Sequence, residues 1–281
     1  MNAPSLLVHV DDSPESERRL GVAFDLCRAL SAHLVGMYLD EAPAISPSIA
    51  AVLPTDAVER YLLKVADRQQ GAEERFGRAA GDAGIGAVEW RAPGGFPIGA
   101  AVAEARCADL TVLSQPEWSE SEWGLGAQLL AAVLLESGRP LLVVPRIDVG
   151  PGIGRNVVVA WDGGREASRA IGDALPLLAR ATRVTVACLD PGASARGADA
   201  SARARLVEYL RRHGVPARVE SDNLSDGDIG VGDWLLSRIA DLDADLLVMG
   251  GYGHPRWRER VLGGATRAIL SAMTVPVLMA H

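Results

Sequence analysis

Along the chain, short apolar runs alternate with longer stretches in which apolar residues recur every three or four positions. The runs at 5–10, 33–39, 109–113 and 140–144 predict strands, with a weaker one at 88–90. Helical periodicity fills 14–30, 56–83, 98–106 and 125–136, and residues 43–54 form a proline-punctuated loop. Asp11-Asp12-Ser13-Pro14 reads as a strand end passing into a helix start. Ser13 suits the cap, Pro14 the first helical position, and Glu15 and Glu17 the positive end of the helix dipole. The pattern then restarts. Strands at 156–161, 183–189, 217–220, 246–249 and 275–279 alternate with helices at 165–181, 201–213 and 233–240, and a further helical pattern begins at Ala268. Strand–helix alternation predicts parallel sheets joined by right-handed crossovers.

The restart is a repeat, and its register can be read. Ala108-Asp109-Leu110 reappears as Ala244-Asp245-Leu246, and Pro140-Leu141-Leu142-Val143 as Pro276-Val277-Leu278-Met279, both 136 residues on. Asp11 returns as Asp162, 151 residues on, so the first copy carries 15 extra residues between its first and fourth strands. The expected organisation is a domain over 1–147, a glycine-rich linker over 148–153 and a second domain over 154–281. Each domain should be a flavodoxin-like α/β unit: a five-stranded parallel sheet with helices on both faces. A ligand on such a sheet sits at the carboxyl ends of the strands, beside the first strand, where the strand order reverses.

Composition narrows the classes. The chain has 281 residues, 48% of them hydrophobic and 5% aromatic, so its cores are built from Leu, Val, Ala and Ile. A net charge of −8 argues against nucleic acid as a partner. Lys64 is the sole lysine, a compositional bias toward Arg. Cys27, Cys107 and Cys188 have neither metal-ligand spacing nor an even disulfide framework, which suits a reducing compartment. The opening Met-Asn-Ala-Pro-Ser has no signal-peptide character, and no apolar run approaches the roughly 18 residues of a membrane span. A soluble, cytoplasmic protein without membrane contact is expected.

The chemistry gathers in one stretch. The strand at 246–249 runs into Gly250, Gly253 and Gly263-Gly264-Ala265-Thr266, after which a helix begins. Strand, glycine loop and helix N-terminus together hold a phosphate, because glycines let backbone N–H groups approach and the helix dipole favours negative charge. The spacing Gly-x2-Gly-x9-Gly fits neither the Walker loop nor the dinucleotide fingerprint. With the Ala160-Trp161-Asp162-Gly163-Gly164-Arg165-Glu166 start and the closing Val275-Pro276-Val277-Leu278, it resembles the universal stress protein family in its tandem form. That family has an adenine nucleotide alpha hydrolase-like fold.

The resemblance implies an ATP site, with Mg as the accompanying ion. It puts Asp162, with Ala160 before it, beside the adenine and ribose, and Cys188 against the adenine through its backbone. Met249 and Gly250 approach the base and ribose, and Gly253, Gly263, Gly264 and Ala265 surround the phosphates. Thr266 offers a hydroxyl. Other readings of the same residues stand beside these. Asp162 suits a helix cap, the Cys188 side chain a small buried hydrophobe and Thr266 a capping hydroxyl. Arg256, Arg258, Arg260 and Arg267 suit either a triphosphate or a solvated face with Glu259. Gly264 stands where the family usually has Ser or Thr, which removes one hydroxyl worth about 1 kcal/mol.

In the first copy the counterparts of Gly250, Gly253, Gly263, Gly264 and Thr266 are Ser114, Glu117, Ala127, Gln128 and Leu130. Every glycine is gone, and a carboxylate near Glu120 and Glu122 disfavours an anion. The expectation is one nucleotide per chain, in the second copy. The protein would then be a nucleotide-dependent stress regulator acting on a protein partner, rather than a catalyst. A slow Mg-dependent ATPase and a nucleotide-independent scaffold are the alternatives. The resemblance also implies that the last strands of the two copies, 140–144 and 276–280, pair within the chain as a pseudo-dimer, with a dimer of chains as a further expectation.

Overall fold

The computed structural model describes residues 4–39, 52, 54–86, 88–117, 124–190, 200–223, 230–252 and 264–281. Gly253 and Gly263 lie outside them, as do Arg256, Arg258, Arg260, Glu120 and Glu122. The chain divides into two compact units, Met1–Val112 and Leu113–His281.

The first unit holds β1 (Ser5–Val10), α1 (Pro14–Leu30), β2 (His33–Tyr38), α2 (Thr55–Asp82), β3 (Val88–Arg91), α3 (Pro97–Arg106) and the start of β4 (Leu110–Ser114). Its strands are parallel in the order β3-β2-β1-β4. The second unit holds α4 (Leu125–Glu136), β5 (Leu141–Val144), β6 (Asn156–Ala160), α5 (Arg165–Leu178), β7 (Arg183–Asp190) and α6 (Ala200–Arg212). It continues with β8 (Ala217–Asn223), α7 (Val231–Asp241), β9 (Leu246–Gly250), α8 (Gly264–Ala272) and β10 (Val277–Ala280). Its strands run β5-β10-β9-β6-β7-β8. All neighbours are parallel except β5 and β10, which pair antiparallel with Leu142 opposite Leu278. The last strands of the two copies therefore meet within one chain, as the family resemblance implied. The α/β class with a mainly parallel sheet and helices on both faces is likewise as expected.

The strands form where they were read because they are buried on both faces. Val157, Val158 and Val159, Leu246, Leu247 and Val248, and Leu141 to Val144 are all fully buried. The repeated Ala-Asp-Leu has a mechanical cause. The Asp245 carboxylate accepts the backbone N–H groups of Gly154, Arg155 and Asn156 at 2.7, 3.0 and 3.1 Å, pinning the start of β6. Asp109 does the same for β1, accepting from the Ser5 N–H at 2.8 Å. The extra length of the first copy was expected in the loop over 43–54 and the helix after it; that helix is the longer one, 28 residues in α2 against 13 in α6, and the loop lies mostly outside the described residues. The strand β8 reaches Asn223 instead of 220, because β7 runs on to Asp190 and the two stay paired.

The first copy hides a charged cluster that the sequence did not reveal. Arg19, on α1, is only 1% exposed; its Nε donates to the His9 carbonyl at 2.5 Å, and its Nη2 lies 3.1 Å from Asp11 Oδ2. His9 Nδ1 is 3.4 Å from the same oxygen. Ser13 does not cap α1 with its side chain; its hydroxyl donates to Asp11 Oδ1 at 2.5 Å, and its N–H at 2.9 Å. Burial pushes the His9 imidazole from 6.5 down to about 3; Arg19 adds to that and Asp11 opposes it. His9 is therefore neutral in the folded protein. Its contribution to stability is fully present above pH 6.5 and is lost as pH falls toward 3, because the unfolded chain takes up a proton that the folded one refuses. The expected slope is about 1.4 kcal/mol per pH unit below 6. Guanidinium unfolding at pH 7.5 and pH 5 should show it, and His9→Gln should flatten it. An equal slope in that variant would assign the acid lability elsewhere.

Candidate functional site

The candidate site is built on the carboxyl ends of β9, β6 and β7, which lie side by side in that order. At the end of β6 the chain passes through Trp161, Asp162, Gly163 and Gly164 into α5. The Trp161 N–H continues the sheet by donating to the Ala187 carbonyl at 3.0 Å. Gly163 takes φ +78°, a left-handed turn that glycine adopts without strain. Asp162 Oδ1 accepts the Gly164 N–H at 2.8 Å, so the carboxylate fixes the turn that opens α5 while remaining exposed to solvent. Ala160 is half-buried opposite Ala187, and Cys188, one residue on, is buried with 1% exposure. That burial accords with the small-hydrophobe reading of the Cys188 side chain.

On β9, Met249 is buried, and Gly250 meets the first turn of α5. A Cβ at 250 would stand 2.6 Å from the Ala167 nitrogen and 2.7 Å from the Glu166 carbonyl carbon. Packing alone thus requires a glycine there. Gly251 donates its N–H to the Ala280 carbonyl at 2.9 Å, and its own carbonyl takes the His281 Nδ1 hydrogen bond at 3.0 Å. Tyr252 then turns with φ +60° and is 6% exposed. Burial opposes ionisation of Glu166, but its own backbone N–H, Arg165 and His281 outweigh it and hold the carboxyl below its usual range. On the far side of the glycine loop, α8 opens with Gly264 exposed, Ala265 half-buried and Thr266 5% exposed. A Cβ on Gly264 would meet nothing within 4 Å.

The structure therefore brings Ala160, Asp162, Cys188, Met249 and Gly250 to one end of adjacent strands and sets Gly264, Ala265 and Thr266 at a helix N-terminus. Sequence reading missed Gly232, Trp161 and Tyr252. Gly232 lets α7 lie against α8, since a Cβ there would be 2.5 Å from the Ala268 Cβ. The indole Nε1 of Trp161 and the hydroxyl of Tyr252 are buried with no hydrogen-bond partner among the described residues. In the first copy, Ala127 and Leu130 are buried core residues, and the Glu117 carboxylate is met by Arg146 at 2.6 Å. Bulk at these positions, more than the charge of Glu117, separates that copy from the second.

No curated protein matches the sequence. Solved structures share the fold over nearly the whole chain, two of them described as universal stress proteins. A universal stress protein from Archaeoglobus fulgidus is 14% identical, with a TM-score of 0.76, covering 99% of this chain and 96% of that one. A putative universal stress protein from Pseudomonas aeruginosa is 13% identical, with a TM-score of 0.58, covering 98% of this chain and 92% of that one. Residues 154–281, the copy that carries Asp162 and the glycines, match the model of the universal stress protein family.

Proposed function

We propose that this protein is a nucleotide-dependent stress regulator that binds one ATP per chain in its second copy and does not turn it over at enzymatic rates. The observation that carries the reading is the convergence of Asp162, the Cys188 backbone and Gly250 at neighbouring strand ends, with the N-terminus of α8 open to solvent at Gly264. Backbone N–H groups at the start of α8 and its dipole suit phosphates, and the exposed Asp162 carboxylate suits a ribose hydroxyl. In this reading ATP, with Mg on its phosphates, tunes the protein for a partner in the cytoplasm. Dimerisation of chains would be a further layer, open to light scattering.

Nucleotide release, calorimetry and turnover test it. Denaturing the purified protein should release an adenine nucleotide, and titration calorimetry should give one site. Gly264→Ser should tighten ATP about fivefold, since the space is open and one hydroxyl bond adds about 1 kcal/mol. Turnover with Mg should stay well below about 1 per second. Wild type and Gly264→Ser that both fail to bind would leave a scaffold with a family fold, and two equivalent sites would overturn the single-site reading.

A further inference from the structure

We propose that Trp161 and Tyr252 are the side-chain donors that read the nucleoside end of the ligand; this rests on the nucleotide-binding reading above. Trp161 follows the last residue of β6 and precedes Asp162. Tyr252 follows Gly250-Gly251 at the end of β9, the strand hydrogen-bonded to β6. The ladder between the two strands aligns Val159 with Val248, so both residues stand just beyond it, at the same end of the sheet. Each carries a polar atom sealed from solvent with no partner among the described residues, the Trp161 Nε1 and the Tyr252 hydroxyl.

Buried polar groups are nearly always paired, so two orphans at one end of two neighbouring strands, beside an exposed carboxylate, call for a ligand that supplies acceptors. An indole N–H donates only, and neither group carries a positive charge. Neutral buried donors suit the ring nitrogens and ribose oxygens of a nucleoside. Phosphates are better served by the solvent-open start of α8. Tyr252 is held for this by a left-handed backbone, φ +60°, which an aromatic side chain rarely adopts.

A purely structural role and a ligand role give opposite signatures. An orphan hydroxyl destabilises the empty protein and gains its partner only on binding. Tyr252→Phe removes one oxygen and little else. The empty variant should melt about 2–4 °C higher than wild type. Its Kd for both adenosine and ATP should rise about tenfold, the loss of one bond to a buried group. Trp161→Phe keeps an aromatic face without the N–H and should weaken both ligands similarly. If Trp161→Phe fails to fold, Tyr252→Phe decides. Calorimetry with adenosine and with ATP reads each outcome. Unchanged affinity in the folded variants, with wild type binding normally, overturns this assignment and leaves the nucleotide site standing. Loss for ATP with adenosine unaffected also overturns it, because the donors would then serve phosphates. Wild type that binds neither ligand overturns both proposals together.

Discussion

Asp11→Ala should cost about 3 kcal/mol of folding stability, while Asp162→Ala, its counterpart in the repeat, should cost about 1. The two aspartates end equivalent strands, yet their surroundings differ in kind. Asp11 faces a guanidinium that is 1% exposed and takes two hydrogen bonds from Ser13. Removing a carboxylate from a buried Arg typically costs 3–5 kcal/mol; Asp11 is itself 22% exposed, which sets the lower end of that range. Asp162 has Ala170 where Arg19 would stand, and Ala160 where His9 would stand. Its carboxylate accepts the Gly164 N–H, the ordinary worth of a cap. Binding should invert the order. Asp162→Ala should weaken ATP at least tenfold, and Asp11→Ala should leave the affinity of the folded protein unchanged. Denaturant unfolding and calorimetry on the two variants check this. Equal stability losses would mean that Arg19 does not depend on Asp11. Pairing Asp11→Ala with Arg19→Met should recover much of the loss, because an apolar replacement of a buried ion pair is often neutral.

That contrast marks what the sequence could and could not disclose. Continuous runs such as Val157-Val158-Val159 announce strands because burial on both faces needs nothing but apolar side chains. The repeat was legible because Asp109 and Asp245 do the same mechanical work in each copy. Arg19 was not legible: one arginine among the charged residues of an amphipathic helix reads as a solvated position, and only the tertiary structure places its guanidinium under the end of β1. Ser13 was read as a cap because its position is right, but a nearer carboxylate captures the hydroxyl. Glu117 was read as a repulsive charge, and a partner 29 residues away in the chain, Arg146, meets it. Trp161 entered only as part of the motif around Asp162, and Tyr252 gave no signal, since an aromatic residue beside a glycine turn has no periodicity to betray it.

The largest effect at the site itself is expected from Gly250→Ala, and through packing rather than through loss of a phosphate contact. The added Cβ would lie 2.6 Å from the Ala167 nitrogen and 2.7 Å from the Glu166 carbonyl carbon. Both are backbone atoms of a helix turn and cannot rotate aside, so β9 or α5 must move. Overpacking of this kind costs about 3 kcal/mol, the upper end of its usual range. For a chain of this size that lowers Tm by about 6–12 °C. Gly251→Ala meets the Leu134 Cδ2 at 2.7 Å, the tip of a flexible side chain, and should cost about 1 kcal/mol. Gly264→Ala meets nothing and lies in a helix, so it should be neutral or slightly stabilising. This ranking makes the three glycines separable by cause. Because the α5 turn that Gly250→Ala displaces also holds Asp162 through Gly164, that variant should lose nucleotide as well. A Gly250→Ala protein that melts like wild type would refute the packing account and return the glycine to the ligand.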